Sequence, residues 1–483
     1  MYSVGRPGWF TYGIGGEADM EQALQNPLGT EKIPQLLTRF AVPSVIAMLV
    51  SSLYNIVDQI FIGQGVGVLG NAATNVAFPL VTVCTATALL FGIGGAANFN
   101  LCMGAGKKEE AAKFAGGAVT LLIGGGIVLC ILTLLFLEPL MWGCGATADT
   151  IDYALTYTGI TAFGFPFLIL SNGGGHLIRA DGAPRFSMLC NLTGAMINTI
   201  LDPLFIFPMG LGIAGAAWAT VIGQVVSGIM AVVYLSRFRT VRLTRGTLRP
   251  GLRRSLKIAS LGAANCFNQL AMMVVQITLN NTLTFYGALS VYGKEIPLAC
   301  AGIISKVNMI FFSFAIGLAQ GLQPICSFNY GAKKYARVRE TYRLALIAAT
   351  CISFLAFLCF QLFPRQIISI FGNGTEEYFH FAEQYFRIYL FFTFLNGIQP
   401  VTTNLFTAIG KASRGIFLSL TRQILFLLPL IVLLPALFGI DGIMFAGPVA
   451  DLIAAVLSLL LAGRELRRIR RMESPLCETQ PAR

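Results

Sequence analysis

A chain of 483 residues that is 55% hydrophobic and only 12% charged departs from soluble proteins, whose charged share is about 25%. Its 22 acidic and 34 basic residues, net +12, are clumped, and apolar runs long enough for membrane-crossing helices separate them. This composition excludes an ordinary soluble fold, and it withholds any nucleic-acid reading of the positive charge until that charge is placed along the chain.

Residues 1–33 are Gly-rich and polar and lack the apolar core of a cleavable signal peptide. They are expected to form a disordered cytoplasmic tail, with Met20 as an alternative start to Met1. Twelve apolar segments follow, at about 35–63, 73–98, 115–137, 152–175, 187–207, 213–235, 258–284, 297–323, 342–363, 383–404, 415–438 and 442–463. Each can cross a ~30 Å hydrocarbon layer at about 1.5 Å per residue. The polar–apolar alternation of a membrane barrel is absent. Eleven cysteines are scattered without a C-x-x-C pair, and His176 and His380 stand far apart, so neither a disulfide framework nor a metal site is predicted.

The basic residues fall in every second loop. They include Lys107, Lys108 and Lys113, then Arg179 and Arg185, then the run from Arg237 to Lys257. Lys333, Lys334 and Arg337, then Lys411 and Arg414, and finally Arg464 to Arg471 complete the set, while the alternate loops carry little beyond Lys294 and Arg365. Excess positive charge marks cytoplasmic loops. Both termini are therefore expected in the cytoplasm of a multi-pass plasma-membrane protein. Topology and anionic lipid then account for the basic loops, and no nucleic-acid partner is needed.

The segment GAGKKEEAAKF from Gly104 is echoed by GAKKYARVRE from Gly331, with the Lys pairs 226 positions apart. GIAG from Gly212 is echoed by GIDG from Gly439 at 227, and Gly182 by Gly410, like Tyr157 by Tyr385, at 228. A near-constant offset indicates duplication. The predicted organisation is a tail (1–33), an N-lobe of six helices (34–235) and a basic linker (236–257). A C-lobe of six helices (258–463) and a basic tail (464–483) complete it. Parallel six-helix repeats are a transporter architecture with its site near the midplane.

Ionisable side chains inside spans are costly and mark function by default. Three acids lie deep: Asp58, Asp202 and Asp451. Asp58, Asp202 and Thr220 share a depth in the outer part of the N-lobe, and Asn198 lies one helical turn from Asp202 on the same face. Pro203 follows Asp202 and Pro43 interrupts the first span, so both helices can bend and free a backbone carbonyl. Two carboxylates, an amide and a hydroxyl form an oxygen-rich cavity suited to a proton or a hard cation such as Na⁺. Two carboxylates at low dielectric do not both ionise cheaply, which favours a shared proton or bound cation. Asn55, Gln269, Lys306, Gln323, Arg387 and Asp451 are candidates for a substrate path. Asp451 could equally pair with a basic neighbour, and Arg422 is expected to snorkel to the interface.

At these residues a resemblance becomes specific. NPLGTEKIPQLLTRFAVPS from Asn26, SLYNIVDQIFIG from Ser52, IRADGAPRFSM from Ile178, NTILDPLFIF from Asn198, GIAGAAWATVIGQ from Gly212 and GLAQGLQPICSFNYGAKKY from Gly317 occur in order. They resemble the MATE (multidrug and toxic compound extrusion) family in its bacterial MepA-type branch, over about 26–465. The resemblance implies an all-α polytopic membrane protein of twelve transmembrane helices in two pseudo-symmetric lobes arranged as a V. It also implies efflux of organic cations in exchange for H⁺ or Na⁺. The family's N-lobe cation pattern maps onto Asp58, Asn198, Asp202 and Thr220, with the bend-prone proline at Pro43. Several branches carry an acid in the seventh span where this chain offers Gln269.

The expected function is a secondary active antiporter exporting amphipathic, cationic small molecules, acting as a monomer and needing no cofactor beyond its coupling ion. A flippase for lipid-linked saccharides would share the architecture but need a wide basic cavity, for which Lys306 and Arg387 are the only in-span candidates. An enzyme would need a nucleophile, metal cluster or facing His and acids, and none is visible.

Overall fold

The computed structural model describes residues 26–293, 295–371 and 376–477. The two candidate starts, the tail up to residue 25, Lys294 and residues 478–483 lie outside the described residues. Among the described residues the regular structure is entirely helical, as lipid demands of chain segments whose backbone groups must be satisfied internally.

In the first half the helices are α1 (Ile33–Gly65), α2 (Val68–Gly104), α3 (Lys108–Leu135), α4 (Ile151–Ala180), α5 (Pro184–Ile206) and α6 (Gly212–Ser236). In the second, α7 (Leu252–Ala288), α8 (Glu295–Gly331) and α9 (Tyr335–Leu362) come first. Next is α10, made of two pieces, Glu376–Tyr389 and Ile398–Ala408. The half ends with α11 (Ala412–Phe438) and α12, which runs from Ile440 to Cys477 and carries the helix through most of the expected C-terminal tail. Several helices outrun their expected apolar segments at one or both ends.

Eleven of these helices are long and apolar enough to cross a membrane among the described residues. The expected span at 383–404 is the exception, being broken between Tyr389 and Ile398 with a 3-10 turn at Thr393–Leu395. Pro400 cannot donate to the carbonyl of Asn396, and Gly397 weakens the helix just before it. A matching 3-10 turn, Ala162–Gly164, interrupts α4 without breaking it. Short helices also follow α3 and α9, at Leu137–Gly143 and Pro364–Phe371, so the halves repeat irregularities as well as spans. The turn before α3 uses Gly106 at φ +77°, whereas the turn before α9 forces Lys333 to φ +58°.

The halves meet along α1 and α2 on one side and α7 and α8 on the other. The approach is backbone to backbone. A Cβ on Gly317 would lie 2.5 Å from the Cα of Val45, and one on Gly321 would lie 2.6 Å from the Cα of Ala41. Cβ atoms on Gly94 and Gly262 would strike the carbonyls of Ile258 and Leu90.

At the end carrying the basic turns, the entry segment Pro27–Thr30 is gripped from the second half. Asn329 Nδ2 donates to the Leu28 carbonyl at 2.8 Å and Lys334 Nζ to Gly29 at 2.9 Å. Arg337 donates to Leu28 at 3.2 Å and to Glu31 at 2.7 Å. Further along, Gln323 Nε2 donates to the Ile93 carbonyl at 3.2 Å, and Ser52 and Ser313 share a 2.7 Å hydrogen bond. The ties to the entry segment pin the halves together at the basic end, and the Ser52–Ser313 bond holds them near mid-length of α1 and α8.

Candidate functional site

Six side chains from four helices converge in the first half. Tyr54 and Asp58 lie one turn apart on α1, as do Asn198 and Asp202 on α5, which places each pair on one face. Thr220 comes from α6 and Tyr157 from α4. The α5–α6 contact is close because Gly194 and Gly223 face one another, a Cβ on Gly223 falling 2.7 Å from the Gly194 carbonyl. That approach lets Asn198 Nδ2 donate to Thr220 Oγ1 at 3.2 Å while also donating to Asp202 Oδ1 at 3.3 Å. Asp202 is fully buried and Asn198 nearly so. The Asp58 carboxyl lies beside Asp202, and the Tyr157 hydroxyl beside Thr220. Both α1 and α5 continue as helices past Pro43 and Pro203.

The amide donor of this cluster is fully used while carboxylate acceptors remain. Both Asn198 amide hydrogens are committed, yet Asp58 Oδ1, Asn198 Oδ1 and Asp202 Oδ2 are buried without a hydrogen-bond partner. A buried unsatisfied acceptor costs about 1–3 kcal/mol, and more when charged. Two like charges 4 Å apart repel by about 4 kcal/mol at an effective dielectric of 20. Three orphaned oxygens, two of them on carboxylates, call for a positive guest. A proton shared between the acids fits, and so does a small hard cation bound by oxygen alone.

The deep acid of the second half is handled differently. Asp451 on α12 accepts from Arg422 Nε at 2.5 Å, and Asn396, at the break in α10, lies beside its side chain. Arg422 is buried with its guanidinium 5.5 Å from the Phe312 ring, so it does not snorkel to the interface. It lies in a π-helical stretch, Thr421–Leu427, whose wider turn alters which residues of α11 face inward. Asp451 thus has a cation built into the chain, while Asp58 and Asp202 have none among the described residues.

Of the remaining path candidates, Asn55 borders the first-half cluster beside Tyr54, and the others do not gather around either site. Gln323 is spent on the Ile93 carbonyl across the interface between the halves. Asn55 is exposed and bonds the Ser51 carbonyl at 2.6 Å, Arg387 is exposed, and Gln269 and Lys306 are half-buried. With Arg422 neutralised by Asp451 and Arg387 exposed, half-buried Lys306 is left as the one base named above for the basic cavity a lipid-linked saccharide flippase requires. Sequence reasoning missed Tyr54, although it stands one turn before Asp58, and used Tyr157 only as a repeat marker.

A profile of the MatE family matches residues 43–204 and again 266–433. The multidrug export protein MepA of Staphylococcus saprophyticus is 26% identical over 433 residues, covering 88% of this chain and 92% of that protein. MepA of Staphylococcus haemolyticus is 24% identical, over 88% and 92% respectively. A solved structure of an outward-facing multidrug resistance MATE family transporter of the MOP superfamily superposes with a TM-score of 0.85. It is 22% identical and covers 93% of this chain and 98% of its own.

Proposed function

Since the chain belongs to the MatE family, we propose that it is a secondary active antiporter that exports amphipathic, cationic small molecules in exchange for H⁺ or Na⁺. The observation that carries the coupling is the contrast between the two deep acid sites. One is closed by its own arginine; the other presents only oxygens to a guest that has to arrive from outside the chain. The names of the MepA relatives support multidrug efflux as the task.

The basic turns, read by the positive-inside rule, support both termini facing the cytoplasm of the plasma membrane. The pinned conformation is then the outward-facing one, and an ion entering from outside reaches Asp58 and Asp202. Its binding removes the repulsion between the acids and draws α1 toward α5, while organic cation and coupling ion compete for the same negative charge. Either ligand shifts the balance of outward and inward states only by its difference in affinity for them. One chain holds both halves, so the monomer suffices, and the coupling ion is the only small partner required beyond the substrate.

The test is dye efflux from vesicles with Na⁺ and pH gradients imposed in turn. The arm that drives efflux identifies the ion. Asp202→Asn should abolish gradient-driven efflux at unchanged expression, and full efflux in that variant would sink the assignment.

A further inference from the structure

The helix faces that join the halves continue past the point where contact ends. On α8, Gly321, Gly317 and Ser313 meet α1, and Lys306 stands two helical turns before Ser313 on the same face. On α7, Ile258 and Gly262 meet α2. Gln269 and Gln276 follow Gly262 at two-turn intervals, with Asn280 one turn beyond. The α1 face of Ala41, Val45 and Ser52 runs on likewise to Asn55 and Gln59. In these continuations Asn55 and Asn280 are exposed, and Gln59, Gln269, Gln276 and Lys306 are half-buried. A Cβ on Gly302, one turn before Lys306, would meet nothing within 4 Å.

The polar stripe of α7 is not its lipid side. Phe267, Val274, Ile277 and Phe285, all exposed, lie roughly 100–200° around the helix from Gln276. A third side, with Ala264, Ala271, Val275 and Leu279, is buried within the second half. The amides therefore occupy the side that the first half covers at the basic end and leaves open beyond it. Amides and an ammonium turned to hydrocarbon would be costly, so this open part is the wall of a water-filled cleft. Lys306 makes no ion pair or hydrogen bond among the described residues.

The Ser52–Ser313 bond sets a common level for the two walls. Going away from the basic end, Asp58 lies six residues from Ser52, about 9 Å, and Lys306 seven from Ser313, about 10.5 Å, at about 1.5 Å per residue. The open acid pair and the lysine thus stand at one height in opposite halves. Arg422 is neutralised by Asp451 and adds no charge to the second-half wall.

We propose that Lys306 is a specificity-determining residue: with the amides of α7 it forms the second-half wall of the transport cleft and receives the anionic end of a substrate whose cationic end lies toward Asp58 and Asp202. Molecules charged oppositely at their two ends are favoured, and a second cationic centre is repelled. The inference rests on the antiporter reading above and names its substrate class.

Efflux of matched dyes from vesicles tests it. Ethidium is compared with propidium, which adds a second cationic centre to the same rings, and rhodamine 6G, an ester, with its zwitterionic acid rhodamine 19. In kcat/KM the wild type should favour ethidium over propidium, and rhodamine 19 over rhodamine 6G, at least fivefold. In K306C both preferences should fall to within twofold. Modification of that cysteine with a trimethylammonium methanethiosulfonate should restore them, and the sulfonate analogue should not. The trimethylammonium reagent should also label Q276C and spare I277C on the lipid side, read by peptide mass spectrometry. No preference in the wild type, preferences intact in K306C, recovery with the sulfonate, or I277C labelled as readily as Q276C overturns the inference, while ethidium efflux by the wild type leaves the antiporter standing. A wild type that exports none of the dyes under either gradient refutes the antiporter reading, and the inference with it.

Discussion

Arg337→Ala tests the grip on the entry segment. In the pinned state its guanidinium makes two bonds across the halves, to the carbonyls of Leu28 and Glu31, at 3.2 and 2.7 Å. A hydrogen bond from a charged donor contributes about 1.5–3 kcal/mol when buried. Arg337 is half-buried, and solvent screening reduces that figure, so the two bonds together are taken as about 2 kcal/mol. If they are absent in the inward-open state, their loss shifts the outward-to-inward ratio by about 30-fold. An inward population of about 1% would rise to about a fifth, within the usual range for minor states. Spin labels at exposed Glu109 and Lys333, on opposite halves at the basic end, would show this as a second, longer distance. The grip carries none of the closure energy if Arg337→Ala leaves the distance distribution, and the labelling rate of an introduced cysteine at Val45, as in the parent.

Two further outcomes follow from features of the second half. Asp451→Asn should leave the buried Arg422 unpaired and destabilise the protein by about 3–5 kcal/mol, read as a lower melting temperature. Adding Arg422→Met should restore most of the loss, and a double variant as unstable as the single one would contradict the pairing. Lys333→Gly should stabilise by about 0.5–1 kcal/mol, because an L-residue held at positive φ is strained where glycine is not; an unchanged or lower melting temperature would contradict this.

The elements of the first-half cluster were readable because each rests on local rules. Asn198 and Asp202 are one helical turn apart, and depth counted from the span ends relates them to Asp58 and Thr220. Tyr54 was within reach of the same rule, one turn from Asp58. The Arg422–Asp451 pair was not, since its partners lie 29 residues apart on different helices and a π-helical stretch alters the facing of one of them. Asn396, which also lies beside Asp451, comes from the break in α10. Hydropathy averages over that break and predicts an unbroken span, although Gly397 and Pro400 were there to signal it. At the offset of 227 that relates GIAG to GIDG, Asp451 stands where the first half has Gln224. In the fold, Gln224 lies against Gly164, in the 3-10 turn of α4, as Asp451 lies against Asn396 beside the corresponding turn of α10.

The glycine-lined meeting of α1 and α2 with α7 and α8 has a consequence for how the molecule could be stopped. Surfaces that interlock through side chains part only as many rotamers rearrange together, and a blocker has to match their relief. Here the faces are nearly smooth, and the directional ties are a few polar clasps that can break and re-form one at a time. A single methyl group at Gly94 or Gly262 would already collide with backbone. A thin wedge slipped between the faces, rather than a plug filling the cleft, would be enough to hold this door ajar.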